Sequence, residues 1–161
     1  MDYYNDLAPS YDRLHGEEQK RKIAVIYAEI SPQITERTRL LDIGSGTGLS
    51  LAPWHCQKVG IDPSPELVKI AKAKGLPVQY GTAENIPFPD HSFDVVISVT
   101  SAHHFTEKGF EEAKRVGKDL FVFSILQKGQ TATLKNIKRH FQVKKDVYDE
   151  TDLILFCVPI R

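Results

Sequence analysis

Along the chain, apolar residues alternate between a helical and an extended spacing. From Glu17 to Ile30, Ile23, Ile26, Tyr27 and Ile30 recur at three- and four-residue steps, the stripe of an amphipathic helix, and Pro32 limits its continuation. Arg39 to Ile43 is a short apolar run entering a glycine loop, and Lys58 to Ile61 is a second strand, stopped at Asp62-Pro63. Ser64 caps a predicted helix whose first residue is Pro65, with Leu67, Ile70 and Ala71 facing inward. Pro77 to Tyr80 reads as a third, short strand. Phe93 to Val99 is nearly continuously apolar, as in a parallel-sheet strand covered on both faces. A helix over about Glu107 to Val116 follows, then a fifth strand from Asp119 to Leu126 and a short helix over Lys135 to His140. The last two runs, Phe141 to Tyr148 and Leu153 to Val158, are joined only by Asp149-Glu150-Thr151-Asp152. That connection cannot hold a crossover helix, so these strands must pair antiparallel. The order predicts an α/β domain with a mostly parallel sheet and a C-terminal antiparallel hairpin.

At 161 residues the chain suits one domain, taken as 1–161. Lys and Arg number 21 against 21 Asp and Glu, so no overall charge draws it to nucleic acid or an anionic membrane. Cys56 and Cys157 are too few for a zinc site and read as buried free thiols. The first residues carry no signal-peptide pattern, and no apolar run approaches about 18 residues. A soluble, cytoplasmic protein is the expectation.

Gly44, Gly46 and Gly48 alternate directly after the first strand and before an expected helix. Glycine permits positive φ and close approach of a ligand to the backbone, and a following helix N-terminus offers free N–H groups to an anion. A tight turn alone rarely needs three glycines in five residues. A dinucleotide site wants a third glycine where the chain has Leu49, so a pyrophosphate is the weaker match. Asp62 closes the next strand about 20 residues on, where an acid holds ribose hydroxyls; as a turn residue before Pro63 it has a blander explanation.

Leu40-Leu41-Asp42-Ile43-Gly44-Ser45-Gly46-Thr47-Gly48 resembles the first motif of class I S-adenosylmethionine-dependent methyltransferases. Val59-Gly60-Ile61-Asp62-Pro63-Ser64 is similar to their second motif. Gly81-Thr82-Ala83-Glu84-Asn85-Ile86-Pro87-Phe88, with Ser92-Phe93-Asp94-Val95-Val96, resembles the next pair. The resemblance implies a Rossmann-like seven-stranded sheet with helices on both faces and S-adenosyl-L-methionine as cofactor. It implies that Asp42, Gly44, Ser45, Gly46 and Gly48 meet the methionine end, and that Asp62 and Pro63 meet the ribose. Ala83 and Glu84 would lie beside the adenine, and the Phe93 strand would run under the cofactor, bringing Ser98 to it. The segment Tyr3 to Asp12 resembles the aromatic entry of small-molecule methyltransferases, which makes 1–35 a helical cap, 36–161 the core and Tyr11 a lid residue. By spacing alone those aromatics are equally ordinary packing residues.

Methyl transfer is an in-line displacement, so positioning supplies much of the rate and a base is needed only when the acceptor must lose a proton early. His103 and His104 follow the fourth strand and are the candidates for base or acceptor contact, though one of two adjacent histidines usually packs. No metal site is visible. Only about fifteen residues separate the fifth and sixth strands, so an open acceptor face is expected, suited to a macromolecule or a partner subunit. The acid-free run with Lys135, Lys138, Arg139, His140, Lys144 and Lys145 is either a solvated face or a phosphate contact. A small organic acceptor is the leading reading. An RNA or protein methyltransferase working with a partner, and a non-catalytic cofactor-binding regulator, are the rivals. The uncharged edge Gly75 to Val78 suggests strand addition by a second copy or a small activator protein.

Overall fold

The computed structural model describes the backbone from Tyr11 to Arg161 and side chains from Gly16 onward. Helix α1 (Tyr11–Ile30) leads through a 3-10 turn (Ser31–Gln33) to β1 (Arg39–Ile43) and β2 (Gln57–Asp62). Then come α2 (Pro65–Ala73), β3 (Val78–Tyr80), β4 (Phe93–Val99), a 3-10 turn (Ala102–His104) and α3 (Glu107–Val116). The chain continues through β5 (Gly117–Leu126), α4 (Thr131–His140), β6 (Phe141–Tyr148) and β7 (Asp152–Pro159).

The seven strands form one sheet in the order β3-β2-β1-β4-β5-β7-β6. β1 to β5 run parallel, and β7 lies between β5 and β6, antiparallel to both. The expected sheet and hairpin are both present, and Asp149 N–H closes the hairpin on Asp152 O at 2.8 Å. The central strands are buried on both faces because their alternate residues feed two cores. Leu41, Val96, Phe121 and Phe123 pack with α3 and α4 through Phe110, Ala113, Val116 and Ile137. Leu40, Val95, Ile97 and Val122 pack on the other face with α1 and α2 through Ile23, Ile26, Ile30, Val68 and Ala71. Each fully buried Leu, Val, Ile or Phe contributes about 1.5–3 kcal/mol, which explains the continuous apolar runs of β4 and β5.

Local signals account for the helix ends. Ser64 Oγ accepts from Leu67 N–H at 3.3 Å, with Pro65 in the first turn of α2, as its sequence predicts. Helix α1 begins earlier than its stripe indicated, and Tyr27 is 40% exposed, its ring lying against Trp54 with centroids 5.2 Å apart. Ile23, Ile26 and Ile30 of the stripe are buried as expected, and Lys22, 1% exposed and four residues before Ile26, joins them on the inner line of α1.

One expectation fails: no helix follows the glycine loop. Residues 44–53 form turns, with Leu51 and Ala52 N–H on Gly48 O at 3.1 and 2.9 Å. Pro53 lacks the N–H that a further turn would need, and buried Trp54 then leads into β2.

Candidate functional site

A cleft of about 290 Å³ opens at the carboxyl ends of β1, β2 and β4, where open α/β sheets take ligands. Its floor is the glycine loop. Gly44, Gly46 and Gly48 have φ of 80°, 56° and 95°, so this path suits glycine at all three positions. Gly44 and Ser45 N–H both reach Ile61 O, at 2.8 and 3.0 Å, which fastens the loop to β2. At Gly44 a Cβ would stand 2.0 Å from Ser101 Oγ, so the loop and the segment after β4 touch across the cleft floor.

Of the residues the sequence singled out, Gly44, Gly46, Asp62, Pro63, Ala83, Glu84 and His104 line the cleft together. Asp62 is 7% exposed, and its two oxygens accept from Gly46 N–H and Ser64 N–H, each at 2.9 Å. Glu84 also braces the site, since its Oε2 accepts from Thr106 N–H at 2.9 Å and Thr106 Oγ1 at 3.1 Å at the start of α3.

Asp42, Ser45, Gly48, Ser98 and His103 are not among the residues that line the cleft. Asp42 is fully buried behind the loop, where the hydroxyls of Ser50 and Ser45 donate to its Oδ2 and its Oδ1 has no partner. Burial pushes its carboxyl up from 3.8 to about 6, the two serine hydroxyls working against this and the Asp62 charge adding to it. Ser45 Oγ is thus spent inside the loop, and it fills the space where a Cβ on Gly60 would fall, 2.0 Å away. Gly48 abuts Leu76. Ser98 is wholly buried in β4 opposite Phe123, with an unpartnered Oγ. His103 lies against His104 in a tilted contact, ring centroids 3.9 Å apart, with its Nδ1 buried and unpartnered. Burial, then the neighbouring His104, holds His103 below the ordinary histidine range. The lid role of Tyr11 lies outside the described side chains.

The sequence reading missed Leu67, Thr100, Ser101 and Phe105 as lining residues. Thr100 and Ser101 directly follow β4, so their place at a strand's carboxyl end was the available signal. Thr100 has φ of 53°, a left-handed conformation that a β-branched residue adopts at a cost. No cluster of metal-ligating groups occurs among the described residues.

The third strand is an edge, as expected, but Val78 does not face outward. It is 2% exposed and packs in the core; the exposed side chain of that strand is Tyr80, at 60%. The basic run is partly neutralised: Arg139 and His140 both meet Glu107, and Lys145 meets Glu29. Both cysteines are free thiols; Cys157 is buried and Cys56 only half-buried.

A glycine loop, a strand-end acid and a cleft at the carboxyl edge of a parallel sheet define a nucleoside-cofactor-binding α/β protein. Residues 41–122 match the methyltransferase domain family, and the chain belongs to that family. It is 40% identical over 92 residues to the uncharacterized methyltransferase YcgJ of Bacillus subtilis, a match covering 50% of this chain and 36% of that protein. It is 32% identical over 129 residues to the demethylmenaquinone methyltransferase of Chlorobaculum parvum, covering 71% and 54%. Among solved structures, the Haloferax volcanii methyltransferase in complex with the Trm112 methyltransferase activator superposes with a TM-score of 0.79 at 18% identity. That likeness covers 100% of this chain and 99% of that one. The fold is that of the S-adenosyl-L-methionine-dependent class I methyltransferases. The chain spans about half the length of the curated relatives it matches. No helix among the described residues is long and apolar enough to cross a membrane.

The cleft fits that cofactor. The glycine loop admits close approach, the Asp62 carboxylate lies at the cleft where ribose hydroxyls would come, and Leu67, Ala83 and Phe105 would give a purine an apolar wall. The unpartnered Oδ1 of buried Asp42 leaves one anionic acceptor unused behind the loop.

Proposed function

We propose that this chain transfers a methyl group from S-adenosyl-L-methionine to a small organic acceptor. The observation that carries the reading is the convergence of Gly44, Gly46, Asp62, Ala83 and Glu84 on one cleft, from loops distant in sequence. Asp62 holds the ribose, Pro63 and Ala83 flank the nucleoside, and the loop backbone receives the amino-acid end of the cofactor. The sulfonium carbon supplied by the bound cofactor is the methyl source. The chain's own part is to orient the acceptor along the Thr100–Phe105 wall and keep the site apolar. Of the two histidines, His104 faces the cleft and is the one that contacts the acceptor, while His103 backs it.

Calorimetric titration with S-adenosyl-L-methionine and, separately, with a nicotinamide dinucleotide tests the cofactor. Incubation with radiolabelled cofactor and fractionated cell extract then tests the acceptor. Binding of the nicotinamide cofactor alone would overturn the assignment, and label appearing only in RNA or protein would overturn the acceptor class.

The free β3 edge favours a second reading, in which a macromolecular acceptor is served with a partner subunit. Tyr80 projects from that edge beside Gly81, which lines the cleft, so a chain added there would adjoin the site. A structural relative solved in complex with a methyltransferase activator supports the same reading. Tyr80→Asp should then abolish co-purification of the partner while leaving cofactor affinity unchanged.

A further inference from the structure

Lys22 is 1% exposed and lies on the inner line of α1 among isoleucines. Burying an ammonium group is costly unless every donor finds an acceptor. Here all three do: Glu18 Oε1, Asp152 Oδ1 and Thr100 Oγ1 each lie 2.9 Å from Nζ. Asp152 is itself wholly buried at the first position of β7. Its Oδ2 accepts from Ser124 Oγ at 2.6 Å and Thr100 Oγ1 at 2.9 Å. Burial alone would raise the Asp152 carboxyl, but the Ser124 hydroxyl and Lys22 bring it below the ordinary range. The result is a closed network joining α1, the end of β4, β5 and β7, in which one ammonium group serves two carboxylates.

One member of this network is also a wall of the cleft. Thr100 lines it, and Thr100 holds the left-handed backbone that a β-branched side chain resists. Its N–H donates to Ser124 O at 2.9 Å, and its hydroxyl accepts from Lys22 while donating to Asp152. The strain is therefore held by the buried ion pair. Ser101, next in the chain, abuts Gly44 of the loop, and His104 follows in the same turn. Lys22 and Asp152 also act electrostatically on His103, in opposite directions.

Around this point α1 is bound to the hairpin connection by further polar contacts. Arg21 Nε meets both oxygens of Asp149 at 3.0 Å, and Thr151 Oγ1 reaches Glu18 Oε1 at 3.2 Å.

We propose that Lys22 is a positioning residue: with Asp152 it clamps Thr100 in its left-handed conformation and so sets the wall of the cleft against which ligand is held. The proposal concerns the wall itself, and only its ligand readout rests on the methyltransferase reading. It makes the N-terminal helix part of the site without contact to the ligand.

The test uses the full chain as wild type, Lys22→Met, Asp152→Asn and the double variant. Lys22→Met leaves the buried Asp152 carboxylate without its cation, and Asp152→Asn leaves Lys22 with only the more exposed Glu18; each should lower the melting temperature, and the double change, which removes both buried charges, should restore most of it. The clamp predicts that Thr100 does not recover with stability. In the double variant its amide and methyl NMR signals stay displaced from wild type, and affinity for S-adenosyl-L-methionine stays at least fivefold weaker by calorimetry. A double variant with wild-type Thr100 signals and wild-type affinity would show the pair to be structural only and would overturn the proposal. If the double variant does not fold, Ser124→Ala with Asp152 intact offers a milder loosening, judged by the same Thr100 signals. If wild-type protein fails to bind S-adenosyl-L-methionine, the proposed function falls, and the Thr100 signals still decide the clamp.

Discussion

Asp42 makes the stability of the protein depend on pH in the direction opposite to its other shifted acids, Asp152, Glu18 and Glu112. Its carboxyl lies at about 6 in the folded state against an ordinary 3.8, because burial outweighs the two serine hydroxyls. The folded state therefore binds this proton more readily than the unfolded chain. Below about pH 4 both states are protonated and the group has no effect; as pH rises toward 6 only the unfolded chain gives up its proton, so stability falls. The full gap corresponds to about 3 kcal/mol, of which about 2 kcal/mol is expressed between about pH 4.5 and about pH 7.5. Asp152, Glu18 and Glu112 are all lowered and contribute with the other sign, their stabilisation being lost as pH falls. The measurement must therefore be a difference. Denaturant titrations of wild type and Asp42→Asn, at both pH values, cancel the shared groups, and the asparagine carbonyl still accepts from Ser45 and Ser50. Wild type should lose about 2 kcal/mol relative to the variant on going from the lower to the higher pH. A wild-type-minus-variant difference that is the same at both pH values would refute the buried, charge-averse Asp42.

Gly44→Ala should cost about 1–3 kcal/mol through overpacking and positive φ, and should weaken cofactor binding by calorimetry, because the new methyl would meet Ser101. Asp62→Ala should weaken cofactor affinity and also destabilise the fold by about 1–3 kcal/mol in denaturant titration, since Gly46 and Ser64 N–H both lose their acceptor. Cys157, pushed up to about 12 by burial, should resist alkylation in the folded protein and react only in denaturant, as counted by thiol titration before and after unfolding.

The sheet was legible because its signals are local. Continuous apolar runs mark strands covered on both faces, and a connection of only three residues between β6 and β7 leaves no choice of direction. The ligand end was legible for the same reason: Gly44, Gly46 and Asp62 each sit where a strand stops. Reading failed where an outcome depended on which side of the loop a side chain takes. Asp42 and Ser45 belong to the same motif as Gly44, yet they turn inward and bond to each other. The expected helix after the loop was lost to Pro53, which the glycine pattern had overshadowed. The Lys22–Asp152 pair spans 130 positions, and no periodicity connects its members; the only hint was a lysine standing four and eight residues before Ile26 and Ile30.

The placement of β7 has a consequence for biosynthesis. This strand leaves the ribosome after β6 but belongs between β6 and β5. At about 5–20 residues per second, β5 is complete well before its neighbour exists, with the apolar edge from Phe121 to Leu126 bare in the nascent chain. β6 emerges next and has no sheet partner of its own, since it pairs only with β7. Asp152 arrives with that same strand, so the lysine in α1 waits for its buried carboxylate partner until the sheet is ready to close. Closure of the sheet and completion of the Lys22 network are thus one late event, and a chain halted before β7 holds together an open sheet edge and an ammonium group that lacks one of its two carboxylates.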